Sequence, residues 1–193
     1  MRLYHAVPHD QFGSRLYPLE TLRSLAPDAY LEAVAKYQDD PRRANIPSRR
    51  IAKLDCTTAE AINLSPVDPR LIHRAWRDLG VDVGSAHWYA IPVDRVRTLP
   101  TVITRPDRMC TVGADIADDA VDWFDPDEYR ELDRLPERTT AWYRKLASSE
   151  RQGGWFVGIP HVLVKGPIDV SGLPTIDWSE GAAADPIHPL TGR

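Results

Sequence analysis

The chain has 193 residues, 42% hydrophobic and 27% charged, which is the profile of one soluble globular domain with a full hydrophobic core. Its formal net charge of −4 argues against bulk attraction to nucleic acid or an anionic membrane, leaving only a local basic patch to act on phosphates. The opening MRLYHAVPHD carries no apolar leader core, and no run of 18 apolar residues occurs, so a cytoplasmic protein without a membrane partner is the expectation.

Arg2 to Val7 alternates and predicts a first strand. Pro18 to Leu25 follows as a short helix with Leu19, Leu22 and Leu25 on one face. Ala26-Pro27-Asp28 breaks it, and Ala29 to Tyr37 predicts a second helix. The polar stretch from Gln38 to Ser48 has no period and is expected to be a loop. Ile51 to Leu54 predicts a short strand, and Thr57 to Leu64 a helical turn running into an extended piece. Asp68-Pro69 starts a helix, with Asp68 as cap, Pro69 in the first position and Gly80 beyond the end. His87 to Val93, Thr101 to Thr104 and Met109 to Val112 read as strands. Asp125, with Glu128 three residues later, resembles a capping box and predicts a helix to about Leu135. Pro136 to Ser149 predicts another. Two strands, Trp155 to Lys165 and Ile168 to Val170, flank Gly166-Pro167, and Pro174 to Trp178 adds a last extended piece. The resulting class is α+β: a single domain over residues 1–178 with a C-terminal tail over 179–193.

Four groups of residues could carry chemistry. His5 and His161 each fall in a predicted strand, near opposite ends of the chain. Two imidazoles facing one cleft could hold a sugar hydroxyl or work as general acid and base; each could equally be a half-buried, hydrogen-bonded structural histidine. Arg42, Arg43, Arg49, Arg50 and Lys53 concentrate positive charge in an acidic chain, and the planar guanidinium suits phosphate or carboxylate. A solvated loop paired with Asp39 and Asp40 is the plainer alternative. Lys36 and Tyr37 end a helix just before this loop, and Ser65 closes an extended piece before Pro66, where turn chemistry is the simpler role. Cys56 and Cys110 form no paired motif, which suits reduced thiols, with Cys56 an inert buried thiol. The acidic stretch from Asp115 to Glu128 lacks the glycine and spacing of a calcium loop. The six histidines do not fall at metal spacing, so no metal is expected. Tryptophans and tyrosines are plentiful, either as core residues or as cleft lining.

LYHAVP followed by LYPL, INLSPVDP and IPHVLVKGPIDVS resemble a group of short bacterial proteins. The layout also resembles the ADP-ribosyltransferase-like fold. It has a histidine on strand one, a hydroxyl on a mid-chain strand, HWYAIPVDRV as a middle strand ending in an aspartate, and VLV with a Gly-Pro turn before IDV. That resemblance implies two small antiparallel or mixed sheets forming a cleft with flanking helices, and NAD or another nucleotide as ligand. In the His-Tyr-Glu branch of that family the histidine holds the nicotinamide ribose, and a late-strand glutamate positions the other ribose or the acceptor. His5 would match the histidine, Ser65 would stand for the tyrosine, and His161 would fall near the glutamate's place. The missing glutamate implies something other than ordinary mono-ADP-ribosylation. The leading expectation is a small transferase-like enzyme that transfers a group from a nucleotide or cleaves its glycosidic bond by histidine acid–base chemistry. His5 and His161 would be catalytic, and Lys36, Tyr37, Arg42, Arg43 and Ser65 would hold substrate or phosphate. The alternatives are a non-catalytic module gripping an acidic or nucleic-acid partner, and an enzyme of specialised metabolism using the same cleft for a non-nucleotide substrate.

Overall fold

The computed structural model describes residues 1–38, 41, 43–108, 114–151 and 153–180. The predicted strand at Met109–Val112, the candidate Arg42, Cys110 and nearly all of the predicted tail therefore lie outside the described residues.

The elements in chain order are β1 (Arg2–Ala6), β2 (Arg15–Leu16), α1 (Leu19–Leu25), α2 (Pro27–Gln38), β3 (Arg50–Ile51), β4 (Cys56–Thr57), β5 (Ala61–Leu64), α3 (Pro69–Asp78), β6 (His87–Pro92), β7 (Thr101–Thr104), β8 (Val121–Trp123), α4 (Glu137–Ala147), β9 (Val162–Lys165), β10 (Ile168–Asp169) and β11 (Thr175–Asp177). The fold is α+β, with four α-helices and several small antiparallel sheets among the described residues. One sheet has the order β1–β6–β11 and a second the order β5–β9–β7–β8. They meet at a single bridge, where the Tyr4 amide donates to the Ser65 carbonyl at 2.8 Å and the Ser65 amide returns to Tyr4 at 2.9 Å.

Strand alternation sorts the core into layers. Leu3 and Ile91 of the first sheet pack against Ile62, Leu64, Val162 and Val164 of the second. The outer face of the first sheet, with Tyr4, Trp88 and Ala90, is covered by Ile72 and Trp76 of α3 and by Tyr143 and Leu146 of α4. Trp178 closes this layer: its indole donates to the Gly84 carbonyl at 3.0 Å, and its ring stacks on Trp155 at 4.4 Å. The far face of the second sheet, with Ala61, Leu163 and Val102, meets Ile51, Leu54, Cys56 and Ile116.

The helix at Asp68 forms as its local chemistry dictates. Asp68 accepts a hydrogen bond from the Arg70 amide at 3.0 Å, and Pro69 needs no amide partner in the first turn. Elsewhere tertiary contacts override local signals. Asp125 does cap, accepting from the Asp127 amide at 2.8 Å, and one turn closes from the Tyr129 amide to the Asp125 carbonyl at 2.9 Å. The predicted helix to Leu135 then stops, because the chain is drawn into other pairings. The Tyr129 hydroxyl donates to the Arg2 carbonyl at 2.8 Å, and Leu132 pairs with Pro66 and Val67. Residues Ala52–Leu54 form a one-turn 3₁₀ helix instead of continuing the short strand. The predicted strand from Trp155 is likewise shorter. Gly154 and Gly158 hold φ of +59° and +83°, values that an extended strand does not have, so Trp155–Gly158 turns and β9 begins only at Val162. β2 pairs with β10, β3 with β4 and β8 with β7, although neither β2 nor β8 has a run long enough to signal a strand.

Candidate functional site

A cleft of about 560 Å³ opens on the far face of the second sheet. Its size falls in the range of small-molecule sites. The floor comes from β5, β9 and β7 through Ala61, Asn63, Leu163 and Thr104, with His161 just ahead of β9. The end of β1 supplies His5, and α1 and α2 close one side. Helix α2 turns Ala29, Glu32, Ala33, Lys36 and Tyr37 toward the cleft, the three-and-four spacing of one helical face.

His5 and His161 therefore share one cavity. The His5 ring is half-buried and its Nδ1 lies 2.5 Å from the Ala6 carbonyl. A carbonyl can only accept, so Nδ1 carries the proton and Nε2 keeps its lone pair. Burial, aided by the Lys36 charge, lowers the His5 pKa from 6.5 to about 4 against the opposing effect of the Ala6 hydrogen bond. His161 is anchored through its backbone: its amide donates to Thr104 Oγ1 at 2.8 Å, and its carbonyl accepts from the Thr104 amide at 2.8 Å. Its ring packs against Phe156 with centroids 6.0 Å apart. Burial, with the Arg49 charge adding to it, lowers the His161 pKa from 6.5 to about 4. Both imidazoles are neutral at neutral pH.

The other sequence candidates separate. Lys36 and Tyr37 line the cleft, with Lys36 Nζ 5.1 Å from the Tyr37 ring centroid. The Arg43 guanidinium lies 5.6 Å from the same centroid. Arg49 reaches the cleft wall while donating through Nε to the Ala114 carbonyl. Arg50 is engaged by Asp55, and Lys53 Nζ donates to the Val121 carbonyl at 2.7 Å, so these two serve the fold. Ser65 does not reach the cleft. It is buried, and its hydroxyl accepts from the Val67 amide at 3.1 Å and donates to the Val67 carbonyl at 3.3 Å. Its hydroxyl is thus committed to the turn before the helix at Asp68. Cys56 is buried, and burial raises its thiol pKa, which disfavours the thiolate. The indoles of Trp76, Trp88 and Trp178 belong to the aromatic layer beneath α3 and α4, whereas Tyr17 and Tyr37 reach the cleft.

Three residues at the cleft rim had no signal in the sequence: His9, Asp10 and Glu32. Their ligand atoms all lie within 4.8 Å of one another, and all three are exposed. Among the described residues this is the set that could hold a cation. The closeness of the two carboxyls holds Asp10 below the usual carboxylate range, with His9 adding to it, and raises Glu32 against the opposing effect of His9. Glu32 comes from α2, so only the fold brings it to His9 and Asp10. Asn63, Thr104, Thr58 and Arg15 are further polar cleft residues revealed only by strand register and loop placement.

Comparison with family models, curated proteins and solved structures returned no match. Among the described residues no helix is long and apolar enough to cross a membrane.

Proposed function

We propose that this cleft binds a nucleotide, with NAD the first candidate, and that the protein is a small transferase- or hydrolase-like enzyme acting on its glycosidic bond. The observation that supports this reading is the meeting of His5 and His161, from opposite ends of the chain, in one cavity of about 560 Å³. Each imidazole is neutral near pH 7 and can accept a proton. Lys36 and Arg49 lie on the wall where a phosphate would be held.

In the reaction we propose, the C1′–N bond of the nucleotide breaks and the base leaves with the bonding electrons. A hydroxyl of water or of an acceptor forms the new bond to C1′ and gives its proton to one histidine. His5 suits that part, because its Nε2 lone pair is free of the Ala6 contact. Nicotinamide leaves NAD as a neutral base and takes no proton, whereas a purine or pyrimidine would take one from solvent, and the enzyme returns to its starting state on losing the proton that the histidine gained. We read the two-sheet cleft as akin to the ADP-ribosyltransferase layout, with His161 near the place of that family's glutamate.

The test is calorimetric titration and turnover assay of the purified protein with NAD and related nucleotides. Saturable binding, with turnover that is lost in His5→Ala and His161→Ala, supports the reading. A protein that neither binds nor consumes any nucleotide refutes it.

A further inference from the structure

Asn63 occupies the middle of β5 and is exposed in the cleft floor. Its strand neighbours Ala61, Ile62 and Leu64 are all buried and apolar. Asparagine is depleted from strands, where its amide competes for nearby backbone groups. Across the ladder Asn63 faces Leu163, and Leu163 in turn faces Val102. A leucine or valine at position 63 would simply continue that row. Instead the position carries an amide that, among the described residues, makes no hydrogen bond. Its side-chain amide is exposed in the cleft and is open to a ligand there.

Its placement is also specific. β5 lies between β9 and the single bridge to β1, so Asn63 stands between the strand that bears His5 and the one led by His161. His161 lies one pleat beyond Leu163, on the same side of the sheet. The apolar side chains of Ala61 and Leu163 border the amide in the same cleft floor.

We propose that Asn63 is the specificity residue of this cleft and reads a planar ligand edge that sets a hydrogen-bond donor beside an acceptor, the edge of a nucleobase. The amide offers an acceptor oxygen and two N–H donors in one plane. Two parallel bonds to such an edge fix both its position and its rotation, as asparagine does when it pairs with adenine. Ala61 and Leu163 give a flat ring an apolar neighbour, and the ligand's phosphate lies toward Lys36. The proposal rests on the nucleotide reading above and adds to it the part of the ligand that is recognised.

The test is calorimetric titration of wild-type protein, Asn63→Leu, Asn63→Asp and Lys36→Ala with adenosine 5′-monophosphate, guanosine 5′-monophosphate and ribose 5-phosphate. Wild-type protein binds the adenosine nucleotide more tightly than ribose 5-phosphate. Asn63→Leu weakens the adenosine nucleotide about tenfold and leaves ribose 5-phosphate unchanged. Lys36→Ala weakens all three alike. Asn63→Asp can no longer donate, so its preference moves toward guanine, which offers two neighbouring donors to a carboxylate. If Asn63→Leu does not fold, the shift in Asn63→Asp decides. Nucleotide binding that is unchanged in both Asn63 variants overturns the role of Asn63 and leaves the nucleotide reading standing. Failure of wild-type protein to bind any of the nucleotides overturns both.

Discussion

The layer beneath α3 and α4 and the hairpin of α1 and α2 are built on opposite principles. The first holds Trp76 and Tyr143 wholly buried, their rings 4.6 Å apart, with Trp178 sealing the edge. The second has no buried residue in either helix, and Leu25 and Leu31 stand in solvent. Its helices pack mainly on each other, and α2 turns one row of side chains into the cleft. The helical wall of the cleft is therefore left with little buried surface to hold it. A wall so lightly packed opens at low cost, which suits a site that must admit and release a ligand.

The sharpest way to break this contrast is to truncate one large residue on each side. Trp76→Ala should cost about 3–5 kcal/mol in chemical denaturation, whereas Leu31→Ala should stay within about 0.5 kcal/mol. Equal costs would mean that the hairpin carries part of the core. Hydrogen exchange provides the same comparison without mutation: amides of α1 and α2 should exchange well before those of α3 and α4.

The functional side of the contrast predicts smaller energies but larger losses of activity. Removing either imidazole should cut turnover of a bound nucleotide by about 100-fold or more, with melting temperature preserved. Loss of folding in both variants would return His5 and His161 to a structural role. Lys36→Ala should weaken an anionic ligand about tenfold, with little effect on turnover at saturation.

The contrast also bears on pH dependence. Folding lowers both histidines from 6.5 to about 4. Between those values the unfolded chain binds more protons than the folded one, so stability falls as pH drops from 6.5 toward 4 and is flat with respect to these groups below that. A variant with asparagine at both positions should lose part of that slope when melting is followed across the window. An unchanged slope would show that other groups set the acid response.

What could be read from sequence follows the range of the forces. The helix at Asp68 was legible because its cap, its proline and its apolar stripe lie within one segment. The helix at Asp125 was misread for the opposite reason. Its cap is real, but Arg2, Pro66 and Val67 compete for the following residues from far along the chain. The glycines at 154 and 158 were visible, yet their turn was hidden inside the most strand-like run of the sequence. His5 and His161 stood out as polar residues inside predicted strands and Lys36 and Tyr37 as the end of a helix, and all four line one cleft. Ser65 was a reasonable candidate, but the turn to Val67 uses its hydroxyl. Asn63 and the rim group of His9, Asp10 and Glu32 were not legible, since only cross-strand register and the packing of α2 bring them to the cleft.

The most direct test of the central claim is long-range imidazole nitrogen NMR of His5 and His161 during titration with a nucleotide. The shared cleft predicts that both rings begin as neutral tautomers, His5 with its proton on Nδ1, and that both shift together and saturate at one ligand concentration. Nucleotide binding that leaves either ring unmoved, or no binding by the folded protein, would contradict it.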